Sequence, residues 1–213
     1  GLSGIGNSAT ATVGATGTAR LVNIATRAAL GGIAGSPISG FVLGGTGTKP
    51  VLARATGPAL ASFGVSGSLA DPRLSLVGGA TTIAENDNWM AADAATMAAA
   101  GAFALPTGSK DAALVSTLAP GAYTTPVTSS DGGSGVTLLE IYDAASATNL
   151  NLVNASTRAY VGLGDAVLIP GFVINGPGSL RLLVRAIGPG LTDFGIANPL
   201  TDPAITLYRD TTV

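Results

Sequence analysis

The sequence contains no cysteine and no histidine. Without cysteine, disulfides, thiolate nucleophiles and zinc–thiolate centres are excluded. Without histidine, the commonest general base and the commonest transition-metal ligand are missing, and the usual nucleophilic triads cannot be built. The two lysines, Lys49 and Lys110, do not stand in a Ser-x-x-Lys spacing. Carboxylate pairs could in principle run glycoside hydrolysis, but none is framed by aromatics that would stack a sugar. No enzyme is expected. Charge is scarce as well, at 10% of 213 residues against about 25% in an average domain. The ten basic residues are scattered and the net charge is -2, so nothing marks a nucleic-acid partner. No apolar run approaches the roughly 18 residues that span a bilayer, and membrane insertion is not expected.

What is present is a chain that should fold. Hydrophobic residues make up 46% and glycine contributes 31 positions, whereas disorder requires low hydrophobicity and high net charge. The chain begins at Gly1 rather than Met, which points to a processed, exported precursor or to a segment of something longer.

An internal duplication organises the sequence. Leu21-Val22-Asn23-Ile24-Ala25-Thr26-Arg27 returns as Leu152-Val153-Asn154-Ala155-Ser156-Thr157-Arg158. Gly40-Phe41-Val42 returns as Gly171-Phe172-Val173, Arg54-Ala55-Thr56-Gly57-Pro58 as Arg185-Ala186-Ile187-Gly188-Pro189, and Asp71-Pro72 as Asp202-Pro203. One ungapped offset, 152 − 21 = 131, aligns them all, with about 25 of roughly 56 positions identical. The expected organisation is an extended arm over 1–19, a complete copy over 20–150 and a partial copy over 151–213. A half-built β domain leaves open strand edges, which are templates for another chain.

Short runs rich in Val, Ile, Leu and Thr between Gly, Pro, Asn and Asp clusters predict strands. They fall at 20–26, 38–43, 51–55, 74–77, 82–85, 112–117, 122–128 and 135–142. A helix is expected over 93–100, and a single helical turn at 58–63. Eight short strands and one small helix indicate an all-β, jelly-roll-like β-sandwich. In the arm, Ser8 to Val13 alternates polar and apolar, the period of a half-buried strand. Ala9, Ala11 and Val13 are its candidate assembly face, turned either to the chain's own first copy or to a neighbouring subunit.

Three further features are candidates for sites. Arg27, Arg54 and Asp71, with their counterparts Arg158, Arg185 and Asp202, repeat in a chain that uses charge sparingly, and pairing that fixes the fold accounts for them. Asn86, Asp87 and Asn88 could contribute oxygens to calcium, which takes about 6–8 such ligands. They could equally form an Asx-rich turn that caps its own backbone. Gly44-Gly45-Thr46-Gly47-Thr48-Lys49 lacks the four-residue spacer of a phosphate loop, and Pro50 follows where a helix should start. No cofactor other than calcium is suggested.

The copy resembles the repeat domains of large exported bacterial surface proteins. The resemblance is carried by the segments quoted above, by Glu85-Asn86-Asp87-Asn88-Trp89, by Leu118-Ala119-Pro120-Gly121-Ala122-Tyr123-Thr124 and by Glu140-Ile141-Tyr142-Asp143. The stretch from Leu74 to Tyr142 is also similar to bacterial pre-peptidase C-terminal domains, β-sandwiches of which some bind calcium. Here the first hairpin turn, Gly78-Gly79-Ala80, lacks the acidic residues that those domains usually carry. The resemblance implies secretion and a structural or adhesive role. The expected function is an extracellular subunit that joins copies of itself, head to tail, into a filament or surface layer through strand complementation. A cell-surface adhesion or carbohydrate-binding module, with glycans as partner, is the alternative.

Overall fold

A computed structural model of the chain describes residues 9–11, 19–32, 35–145, 149–163 and 167–209. The fold is all-β. Its strands are β1 (Ala9–Ala11), β2 (Arg20–Leu30), β3 (Ile38–Gly45), β4 (Lys49–Thr56), β5 (Pro72–Gly78) and β6 (Thr81–Asn86). They continue as β7 (Ala112–Leu118), β8 (Gly121–Ser129), β9 (Gly135–Asp143), β10 (Leu150–Arg158), β11 (Ile169–Asn175) and β12 (Leu182–Val184). The short helix α1 (Ala94–Ala99) buries only Met97, and Gly101 ends it at φ 78°. Among the described residues no helix is long and apolar enough to cross a membrane.

Contacts divide the chain into two compact units, Arg20–Asn175 on the one hand and Gly1–Ala19 with Gly176–Val213 on the other. The division therefore falls at 175, not at the repeat boundary of 150. In the larger unit one antiparallel path runs β6-β5-β8-β3-β10-β2-β9-β4-β7, and β11 adds to β2. The path curls until β6 and β7 lie beside each other, nearly closing a barrel. β2 alternates between buried and half-buried residues, as a strand with one core face does, whereas β4 and the end of β9 are buried almost continuously. Both are central strands with apolar neighbours on either side. Leu52, Met97, Leu105 and Tyr142 pack one part of the core beneath Trp89 and Phe103.

The two copies are joined by exchanged strands. β10 and β11 are the second copy's counterparts of β2 and β3. β10 lies on β3 and β11 lies on β2, in one register: Ala155 faces Phe41 as Ile24 faces Phe172, and Asn154 faces Val42 as Asn23 faces Val173. Among the described residues neither copy pairs its own first two strands. Counterparts also meet directly, since Leu21 faces Leu152 and the Thr26 and Thr157 hydroxyls lie 2.9 Å apart.

In the smaller unit the backbone of the first copy is reproduced. The 3₁₀ turn Pro58–Phe63 recurs as Pro189–Phe194, each closed by a left-handed glycine, Gly64 at φ 75° and Gly195 at φ 73°. Gly57 and Gly188 are both required there. A Cβ on either would sit about 2 Å from a carbonyl oxygen, Leu69 O or its counterpart Leu200 O (2.1 and 1.9 Å). Where the first copy has Gly67 at φ 65°, the second has Asn198 at φ 55°, and asparagine tolerates this region.

Candidate functional site

The same sequence pattern meets two environments. In the first copy Leu52, Arg54 and Leu69 are fully buried. Their counterparts Leu183, Arg185 and Leu200 are exposed, Leu183 to 64%. The difference comes from what covers them. β4 is flanked by β7 and β9, with Val51, Leu52 and Ala53 opposite Asp143, Tyr142 and Ile141. Its counterpart β12 has one partner among the described residues, β1, with Leu182, Leu183 and Val184 opposite Ala11, Thr10 and Ala9. The arm thus holds the place on β12 that β9 holds on β4. Ala9 and Ala11 lie on this strand, and Val13 lies outside the described residues.

The site that β9 completes in the first copy is built on charge. Arg54 donates from Nε to Glu140 Oε2 at 2.9 Å and from Nη1 to the Phe103 carbonyl at 2.7 Å. Its guanidinium stacks 4.2 Å from the Phe103 ring centroid. The Tyr142 hydroxyl donates to Glu140 Oε1 at 2.6 Å. Burial first, then the Glu140 charge and the hydrogen bond to it, push the Tyr142 hydroxyl well above the ordinary tyrosine range. A raised folded-state value means that stability is full below the unfolded value of about 10 and is lost as pH rises beyond it. Urea midpoints measured from pH 8 to 11.5 are expected to fall above about pH 10. In Tyr142→Phe the fall is expected to be shallower, and an unchanged slope would place the titration elsewhere.

Asp143, at the end of β9, takes two cations. Lys49 Nζ donates to it at 2.6 Å with both side chains buried, and Arg20 donates to the same oxygen. Asp71 pairs with Lys110, not with Arg54. Buried Asp111 accepts from the Gly57 and Ala59 amides at 2.7 and 3.3 Å, which fixes the start of the 3₁₀ turn. The sequence pattern singles out Arg54 and Asp71 but does not show Glu140 and Asp143 as the buried partners of Arg54 and Lys49. The available signal was two carboxylates inside the apolar run Leu-Leu-Glu-Ile-Tyr-Asp.

The remaining candidates are dispersed. Arg27 lines an apolar cavity of about 270 Å³ with Leu60, Phe63, Val65, Phe103 and Leu138. Arg158 is exposed at the end of β10, and Asp202 is exposed in the smaller unit. Asn86 Oδ1 accepts the Ala113 amide at 3.0 Å and its Nδ2 donates to the Asn88 carbonyl at 2.8 Å. Asp87 accepts from the Ser130 hydroxyl at 3.4 Å. Asn86 is thus engaged as an Asx bridge between strands. Among the described residues no group of three or more Asp or Glu is placed to hold a metal.

β11 is the other open feature. All seven of its residues are exposed, Phe172 and Val173 among them, and among the described residues no strand lies on its outer side as β8 lies on β3. Pro170 stands where β3 has Ser39 and removes one backbone donor, a common way of blunting an edge. β12 carries no such guard.

No family model, no curated protein and no solved structure matches this chain.

Proposed function

We propose that this protein is an extracellular structural subunit that self-assembles, head to tail, into a filament or surface layer by strand complementation. The observation that carries this reading is the pairing of β1 with β12 in the place of β9. A strand from outside the second copy holds the β9 place on β12, using main-chain hydrogen bonds that any chain's arm can supply. Between chains, the arm of one subunit pairs with β12 of the next through the same register. Such an interface is heterologous and need not close, so chains add without limit. The reciprocal β2·β11 and β3·β10 exchange supports it, since copies of this repeat already associate by trading strands.

Negative-stain electron microscopy and light scattering of the purified full chain test the reading. Filaments or sheets are expected at micromolar concentration, and their loss is expected on deletion of residues 1–19. A full chain that stays monomeric across that range would sink it, as would polymers that persist without the arm.

A further inference from the structure

The arm pairs one side of the β12 main chain but does not meet the charge that follows it at Arg185. Arg185 is the counterpart of Arg54, and the backbone after it is reproduced from Gly188 through the 3₁₀ turn. In the first copy Arg54 stands directly opposite Glu140 on β9 and is fully buried with it. Arg185 is exposed and makes no ion pair among the described residues. The occupant of the β9 place cannot correct this, because residues 1–19 contain neither Asp nor Glu. By register Ala9, Thr10 and Ala11 hold the positions on β12 that Ile141, Tyr142 and Asp143 hold on β4, and Leu183, the counterpart of Leu52, is largely exposed.

We propose that the second copy takes, in preference to the chain's own arm, an extended partner strand that carries a glutamate opposite Arg185. The proposal rests on the second copy being a strand acceptor, the first half of the reading above, and not on polymerisation. The chemistry it fits is that of β9 itself: apolar residues at alternate positions, a glutamate to meet the guanidinium, and a tyrosine two residues later to donate to that glutamate. Main-chain pairing supplies affinity in such strand addition, and side-chain sites supply the choice of partner. Arginine suits the second task because its planar donors stay charged and fix the geometry of a carboxylate. The arm is then a replaceable occupant, and Arg185 is the residue that discriminates.

The test uses the full chain and a fluorescein-labelled peptide of residues 135–143, read by fluorescence anisotropy. The peptide is expected to bind, and its Glu140→Gln version is expected to bind about tenfold more weakly. With Arg185→Ala the two peptides are expected to bind alike. Arg185 is exposed, so its removal leaves the fold intact, which circular dichroism checks. Equal binding of both peptides to the unmodified chain would overturn the proposal. So would a preference that survives Arg185→Ala, or no binding of either peptide. Microscopy separates the two readings. Glutamate-dependent binding without polymers removes the filament and keeps the strand preference, while polymers without glutamate dependence remove only the preference.

Discussion

Replacing Arg54 with alanine is expected to cost about 3–5 kcal/mol of folding stability, because it leaves the Glu140 carboxylate buried without its counter-charge. The pair is fully enclosed: Arg54 is inaccessible, its Nη2 lies 2.7 Å from Glu140 Oε2, and Glu140 is almost as buried. The lost stacking on Phe103 adds to the deficit. For a unit of this size each kcal/mol moves Tm by about 2–4 °C, so a drop of roughly 10 °C is expected in a thermal melt. The internal control is Arg185→Ala. That residue stands in the matching Arg-Ala-x-Gly-Pro segment but is exposed, and its loss is expected to stay within about 0.5 kcal/mol. Equal destabilisation by the two substitutions would show that burial of the first pair is not what matters.

Asp143→Ala is expected to be nearly as damaging. It strands the Lys49 ammonium, which is fully buried 2.6 Å away, and also releases Arg20. Leaving such a buried charge unpaired again costs about 3–5 kcal/mol. Lys49→Met tests the cause. Methionine fills similar volume without charge, and Asp143 keeps Arg20, so the change is expected to cost under about 1.5 kcal/mol. Urea denaturation of the two variants separates the cases. If Lys49→Met is as costly as Asp143→Ala, the contribution lies in the intact pair and not in the penalty for breaking it.

Much of the first copy was legible from residue pattern. Each strand expected between 20 and 142 is present, lengthened by up to a few residues, and the helical turn at 58–63 and the helix near 94–99 stand where Pro58 and the Ala-rich run put them. Local preferences decide such elements, and turns such as Gly78-Gly79 mark their ends. Which strands pair was not legible, for a physical reason. The two copies share residues along β2 and β10 and along β3 and β11, so pairing within a copy and pairing between copies offer the same side-chain matches. Only chain geometry separates them. The buried partners were hidden for a different reason. Glu140 and Asp143 lie three apart in one strand, so they point to opposite faces and share no single pattern, and their burial depends on Arg54 and Lys49, which lie far away in sequence. The repeated Arg54 and Asp71 were visible because repetition marks them, but repetition does not say whom they meet.

The strand exchange also sets an order of events during synthesis. β2 leaves the ribosome well before its neighbours β9, β10 and β11, with Leu30 waiting for Gly135 and Arg27 for Ile169. β3 likewise waits for β8 and β10. At about 5–20 residues per second β2 and β3 stay without these partners for several seconds or more. Pairings so distant along the chain also close slowly once available. The sheet of the first copy is therefore sealed by segments encoded after it, and a nascent chain released before Asn175 would lack the strand that covers one side of β2.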